Sequence, residues 1–246
     1  MVLTKNDSQP LSFNGSEAIK TLKELFRGFK KAGINPYITQ KWKKGIFRLF
    51  GVTATNLPDF NRKNLILLPN HISDFDAVIL GLLHPRIRII AKKEWTDNSE
   101  LMELLNLHYH IVGVDRSSQN DNIGILKSSI KYLKDHSQVR HLLIFPQGTI
   151  SDINKNSTER VNPGFAKLAM ASQTDIVTMF TEYPGTDGPT RIICGDPHPV
   201  TDPGLDYRQI WLDEVIALQN SLNNVREPVL SKKHSLNNNP DEPYFK

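Results

Sequence analysis

The chain has 246 residues, of which 39% are hydrophobic and 23% are charged. This composition is that of an ordinary globular protein and excludes disordered, collagen-like and disulfide-stapled classes. The single cysteine, Cys194, cannot form an internal disulfide, so a reducing compartment is expected and secretion is not. The formal net charge of +4 is too small to indicate a nucleic-acid-binding protein by itself.

The positive charge is concentrated near the start of the chain. Residues 1–15 are polar and lack the pattern of a signal peptide. Between Glu17 and Arg48 there are nine basic residues and two acids. Apolar residues recur there at helical spacing and predict two amphipathic helices, over residues 16–31 and 36–50. Such basic amphipathic helices suit a membrane interface, but they equally suit ordinary packing on a core, and the sequence leaves both interpretations open.

From residue 63 onwards, short apolar runs alternate with helical patterns. The predicted strands are Leu65–Leu68, Ile87–Ala91, His110–Val114, Leu142–Phe145, Ile176–Phe180 and Arg191–Cys194. The predicted helices are Phe75–Leu83, Ser99–Leu107, Asn122–His136, Gly164–Ala171 and Tyr207–Asn223. This alternation predicts an α/β fold with a mostly parallel central sheet flanked by helices, preceded by the amphipathic two-helix element.

The expected organisation has four parts. These are a polar tail at 1–15, the basic helix pair at 16–51, an α/β domain at 52–230 and a polar tail at 231–246. No apolar stretch approaches the ~20 residues that span a bilayer, so no transmembrane helix is expected.

The most informative stretch follows the first predicted α/β strand, where Asn70 and His71 come directly after an apolar run. Ligands bind at the carboxyl ends of strands in open α/β sheets. On one continuous helix, His71 and Asp76 would point ~140° apart, so His71 must lie in the turn and Asp76 in the following helix. Asp76 could then hold one imidazole N–H and leave the other nitrogen as a general base, with Asp74 as a competing partner. Ser73 or Asp74 would cap the helix.

These residues also resemble a known family. Asn70-His71-x-Ser73-x-x-Asp76 is similar to the first motif, His-x4-Asp, of the glycerolipid acyltransferases, which include the lysophosphatidic acid acyltransferases. Five further similarities follow in the family's order, at Ile90–Glu94, Val112–Arg116, Leu143–Ser151, Gly164–Ala169 and Asp175–Phe180. In the third motif, usually Phe-Pro-Glu-Gly-Thr-Arg-Ser, Gln147 replaces the Glu and Ile150 replaces the Arg. In the last motif, Thr178 replaces a usual Pro.

The resemblance implies roles for particular residues. His71 would be the general base and Asp76 its orienting partner, while Arg116 would contact the phosphate of a glycerol substrate. The residues implied in substrate binding are Asn70, Ser73, Phe145, Pro146, Gln147, Gly148 and Thr149. Because a phosphate dianion normally needs more than one cation, Lys92, Lys93 and Arg160 are further candidates for binding it.

The expected activity is transfer of a fatty acyl chain from acyl-CoA or acyl carrier protein to the hydroxyl of a lysophospholipid. The expected acceptor is 1-acyl-sn-glycerol-3-phosphate, in phospholipid biosynthesis at the cytoplasmic face of a membrane that the protein contacts peripherally. No cofactor, metal site or nucleic-acid partner is expected, since the acyl donor is a co-substrate. The oxyanion donors would come either from the turn at Gly148–Thr149 or from the helix start after Asn70.

Two alternatives remain open. The changes at Gln147 and Ile150 are compatible with a different acceptor, or with a non-catalytic lipid-binding protein on the same scaffold. His108 and His110 lack a third metal ligand and are interpreted as structural, and Cys194 as a core residue.

Overall fold

The computed structural model describes residues 51–73, 76–81, 83–84, 86–93, 110–115, 117–150, 160–182 and 190–224. The strands are β1 (Thr53–Thr55), β2 (Leu65–Pro69), β3 (Ile87–Lys92), β4 (His110–Val114), β5 (His141–Leu143), β6 (Asp175–Glu182) and β7 (Arg191–Cys194). The helices are α1 (Asp76–Gly81), α2 (Gln119–Lys134), α3 (Gly164–Ser172) and α4 (Tyr207–Asn224). The predicted N-terminal helix pair, the helix predicted at Ser99–Leu107 and both polar tails lie outside the described residues.

The seven strands form one sheet in the order β1-β7-β6-β2-β5-β3-β4. The five neighbours from β6 to β4 are parallel. β7 is antiparallel to β6, and β1 is parallel to β7. The predicted α/β fold with a mostly parallel central sheet is therefore confirmed.

The structure corrects the sequence prediction at two strands. β1 was not predicted, because three residues are too short to show an alternating pattern. β5 ends at Leu143 rather than at Phe145, because Phe145 begins a tight turn in which its carbonyl accepts the Gly148 N–H at 2.9 Å.

β2 is the centre of the domain. All five of its residues are buried, as expected for a parallel strand covered on both faces. The large core cluster joins Ile66 and Leu68 of this strand to residues of three helices, among them Tyr132, Phe165 and Trp211. The five parallel strands end on the same edge of the sheet, so the segments that follow β2, β5, β3 and β4 meet there.

A buried histidine lies at the opposite, amino-terminal edge of the sheet. His141 is fully buried, its Nε2 lies 3.0 Å from the Phe60 carbonyl oxygen, and its ring packs edge-on against Phe60 and His84. Burial, with a smaller contribution from the charge of His84, lowers the pKa of His141 from its ordinary value of 6.5 to about 4.

This pKa predicts an acid-sensitive stability. As the pH falls below 6.5, the unfolded chain takes up a proton at His141 before the folded chain does, so stability is full above pH 6.5 and is lost towards pH 4. Between pH 7.5 and pH 5, His141 should contribute a loss of about 2 kcal/mol in the free energy of unfolding. In urea titrations, His141→Gln should remove that part of the pH dependence, whereas His136→Gln, at an exposed position, should not. Equal pH slopes in the parent and in His141→Gln would contradict the assignment.

Candidate active site

His71 and Asp76 form a hydrogen-bonded pair at the carboxyl end of β2. His71 lies in the turn and Asp76 is the first residue of α1, as their spacing predicted. The Nδ1 atom of His71 is 3.0 Å from Asp76 Oδ2. The carboxylate is fully buried, whereas the imidazole is 17% exposed. A carboxylate can only accept, so Nδ1 carries the proton and Nε2 has the lone pair.

The same carboxylate oxygen also shapes the turn. Asp76 Oδ2 accepts the backbone N–H of Ile72 at 2.8 Å and that of Ser73 at 3.0 Å. The Asp76 N–H in turn donates to the Ser73 carbonyl at 3.1 Å. One oxygen atom therefore fixes both the path of the backbone and the tautomer of the base.

The segment after β5 holds His71 from its other sides. The Phe145 ring stacks on the imidazole with 4.1 Å between ring centroids. The His71 N–H donates to the side-chain Oε1 of Gln147 at 2.5 Å, and Gln147 is buried. Gln147 was predicted to bind substrate, but here its amide oxygen positions the backbone of the base. A neutral acceptor replaces the usual glutamate at this position.

Asn70 is completely buried against β6. Its Nδ2 donates to the Thr181 carbonyl at 2.9 Å, and its Oδ1 accepts the Thr181 N–H at 2.7 Å. The side chain thus continues the pairing of β2 with β6 just before His71. This geometry favours a positioning role over the predicted contact with substrate.

Taken together, these contacts present an oriented imidazole whose free nitrogen can take a proton from a hydroxyl. A comparison with known protein families adds the decisive observation, because the family described as Acyltransferase matches residues 51–182, which is more than half of the chain. The chain belongs to the acyltransferase family.

A solved structure shares the fold of this acyltransferase. It is the 1-acyl-sn-glycerophosphate (LPA) acyltransferase PlsC from Thermotoga maritima, which is 16% identical to this chain. The match covers 83% of this chain and 90% of that one, with a TM-score of 0.55. The two proteins therefore have a common architecture.

The third-motif turn of the acyltransferase is a tight turn closed by Gly148. Pro146 and Gln147 occupy its two central positions, and Gly148 has a positive φ of 65°, a conformation that favours glycine. Thr149 and Ile150 follow it at the surface. The Pro146 carbonyl is held by the Asn162 N–H at 2.8 Å, which ties the start of α3 to the turn.

The candidate phosphate-binding cations lie at two places. Lys92 and Lys93 lie at the carboxyl end of β3, two strands from β2 in the sheet and thus about 10 Å along the edge. Arg160 is exposed and lies two residues before Asn162, whose N–H donates to the Pro146 carbonyl of the third-motif turn. Arg116 lies outside the described residues. Its neighbour Asp115 has a pKa below the ordinary value, chiefly through hydrogen bonds from Ser117, with the charge of Lys93 adding a smaller effect.

Helix α4 supports β2 just before the site and the neighbouring strand β6, which the sequence did not predict. Trp211 Nε1 donates to the Leu68 carbonyl of β2 at 3.0 Å. Thr178, paired in register with Leu68, donates its hydroxyl to Glu214 on the same helix. A buried indole needs an acceptor, but nothing in the sequence says which one.

Glu214 also pairs with His198, whose Nε2 lies 2.9 Å from Glu214 Oε1. The hydrogen bond to Glu214 raises the pKa of His198. Burial acts to raise the pKa of Glu214, but the hydrogen bonds from His198 and Thr178 outweigh it and hold that pKa below its ordinary value. Each side chain thus favours the charged form of its partner.

Removing the acceptor at Gln147 should weaken catalysis. In Gln147→Leu the buried His71 N–H loses its partner, at a cost of about 1–3 kcal/mol, and the turn that aims the imidazole shifts. We expect kcat for acyl transfer to fall about 10- to 100-fold, while Gln147→Glu, which keeps an acceptor, retains most of the activity. Gln209→Leu, at an exposed position on α4, is the matched control. Equal losses in the Leu and Glu variants would rule out the hydrogen bond as the cause.

Proposed function

We propose that this acyltransferase moves a fatty acyl chain from acyl-CoA or acyl carrier protein to the free hydroxyl of a lysophospholipid, with 1-acyl-sn-glycerol-3-phosphate as the acceptor. The observation that carries the proposal is the His71–Asp76 pair, with an imidazole that is oriented, stacked and partly exposed at the ligand-binding edge of the sheet. The fold shared with a protein named as an LPA acyltransferase supports this choice of acceptor.

In the proposed reaction, His71 Nε2 takes the proton of the acceptor hydroxyl as its oxygen attacks the thioester carbonyl. The resulting imidazolium is stabilised by the buried Asp76 carboxylate on the opposite ring nitrogen. When the tetrahedral intermediate collapses, the carbon–sulfur bond breaks and the thiolate receives the proton back from Nε2. No covalent acyl-enzyme is needed.

Several backbone N–H groups near His71 already donate a hydrogen bond and are therefore less suited to bind the oxyanion. The N–H groups of His71, Ile72 and Ser73 already donate to Gln147 and Asp76, and that of Gly148 donates within its own turn. Within the part of the chain that the structure describes, no hydrogen bond of the Thr149 N–H is found. Of the two sources predicted from the sequence, we therefore favour the third-motif turn, with Thr149 as the donor.

The phosphate of the acceptor would be bound at the same edge. Lys92 ends β3 and Lys93 follows it, so both lie on the side of the third-motif turn away from β6. Arg116 is the third cation proposed to bind the phosphate. Arg160 would approach from the segment before α3. Two or more of these cations would neutralise the phosphate dianion. Ile150, at the position where the third motif usually has an arginine, contributes no charge.

The acceptor and product are membrane lipids, so the proposed enzyme works at a membrane surface on its cytoplasmic face. Among the described residues, no helix is long and apolar enough to cross a bilayer. We propose that the basic helix pair at 16–51 provides peripheral attachment, by placing apolar side chains in the interface and lysines against anionic head groups.

The proposal is tested by offering the full-length protein labelled acyl-CoA and labelled acyl carrier protein together with a panel of lysophospholipids in vesicles. We expect label in phosphatidic acid, and stronger transfer to 1-acyl-sn-glycerol-3-phosphate than to zwitterionic lysolipids. A preference for another acceptor would overturn the assignment of the head group. No transfer to any acceptor by a folded, vesicle-bound protein would favour the non-catalytic lipid-binding alternative.

A further inference from the structure

One side of α2 remains exposed and combines apolar with basic side chains. Ile123 is 45% and Leu126 is 36% exposed. At ~100° per residue these two side chains and Lys127 fall within about 100° of one another around the helix. Further along, Lys131 and Lys134 are also exposed. Residues 122–134 contain no acidic residue.

This exposed side borders the part of α2 that packs on the core. The adjoining side of α2 buries Ser129, Tyr132 and Leu133, and the latter two belong to the main core cluster. Ile130, which lies between Leu126 and Ile123 around the helix, packs against the same cluster. Next to Ile123, a Cβ added at Gly124 would meet no atom within 4 Å. The surface at Gly124 is therefore open, and Ile123 and Leu126 keep 45% and 36% of their surface exposed at the border with the core.

The direction of α2 places this surface beside the active site. β4 ends at the active-site edge of the sheet, and α2 begins five residues later and returns towards the amino end of β5. The helix is about 24 Å long, and Ile123 and Leu126 lie about 6 Å and about 10 Å from its first residue, in the half nearer the active-site edge. Ile150, which is 44% exposed, follows the third-motif turn on the same edge.

We propose that the exposed side of α2 docks on an anionic phospholipid surface, in addition to any attachment by residues 16–51. Ile123 and Leu126 enter the boundary between head groups and acyl chains, and Lys127, Lys131 and Lys134 face the anionic head groups. The charge of the surface selects this partner, because three lysines with no acid among them complement anionic lipid. The inference rests on the proposed function, because an acceptor that resides in the bilayer requires the enzyme to contact the membrane surface.

The test measures binding of the full-length protein to vesicles by co-sedimentation, without turnover. In Ile123→Gln/Leu126→Gln, we expect the partition coefficient onto phosphatidylglycerol vesicles to fall about ten-fold, because two partly buried aliphatic groups are lost from the interface. The matched control is Leu205→Gln/Ile216→Gln, which removes two apolar groups of 51% and 41% exposure from other surfaces and should bind as the parent does. Replacing Lys127, Lys131 and Lys134 by Gln should weaken binding to phosphatidylglycerol vesicles and leave binding to phosphatidylcholine vesicles unchanged.

Equal binding of the parent and of Ile123→Gln/Leu126→Gln would overturn the proposal. An equal loss in the control variant would do the same, since it would show that general surface hydrophobicity governs binding. Lower turnover with acyl carrier protein as donor, at unchanged vesicle binding, would identify the surface as a protein-docking face instead. His71→Ala should bind vesicles as the parent does, so a failure of the catalytic proposal leaves this test intact.

Discussion

Replacing His71 by alanine should lower kcat for acyl transfer by about 10³-fold, within the 10²–10⁴-fold range that general bases typically supply. The imidazole has one nitrogen fixed by Asp76 and one ring face covered by Phe145, so no neighbouring side chain in the described turn can replace its Nε2. The reaction is followed with labelled acyl-CoA under saturating acceptor, so that kcat is measured rather than binding. KM for the donor should change little, because the base acts in the transition state.

The control for this substitution is His136→Ala, which removes an exposed imidazole after the end of α2. It should leave kcat within about two-fold of the parent value. Such a change is much smaller than the loss expected when a general base is removed. Retention of substantial transfer in a folded His71→Ala protein would show that another group accepts the proton.

Asp76→Asn should have an effect of similar size for a different reason. An asparagine has the same shape, but its Nδ2 can donate to His71 Nδ1, which would move the ring proton to Nε2 and leave no lone pair for the substrate. We expect kcat to fall about 10³-fold or more, as happens when the wrong tautomer is imposed in other enzymes. The substitution should also lower the free energy of unfolding by about 1–3 kcal/mol, because three N–H groups lose a charged acceptor.

Two measurements separate these consequences. Urea unfolding gives the fraction of folded Asp76→Asn protein under assay conditions, and kcat is then expressed per folded molecule. Asp213→Asn is the matched control, since that exposed carboxylate accepts one hydrogen bond, from Gln209 at 2.7 Å. If kcat per folded molecule of Asp76→Asn equalled that of the parent, the carboxylate would be a purely structural residue.

The sequence predicted the part of the site that depends on local geometry. The angle between positions 71 and 76 on a helix required a turn at His71 and a helix start at Asp76, and the structure has both. The apolar runs also predicted six of the seven strands. The signal is most continuous in β2 and β5, where every residue is buried.

The parts that depend on contacts between distant segments could not be read from the sequence. Gln147 binds the His71 backbone across 76 positions, and Asn70 binds Thr181 across 111. Neither pairing leaves a periodic pattern, so the sequence alone does not show these contacts. The reversed direction of β7 is equally invisible, because an apolar run reads the same in parallel and antiparallel pairing.

The hydrogen bond from Trp211 to Leu68 spans 143 positions of the chain. During synthesis, β2 leaves the ribosome before α4 does. At typical elongation rates of ~5–20 residues per second, the interval between Leu68 and Trp211 is about 7–30 s. Until α4 emerges, the carbonyl of Leu68 has no indole to accept from, and Thr178 has no carboxylate. The nascent chain therefore completes the support of the turn that carries His71 only after nearly all of the described domain has been made.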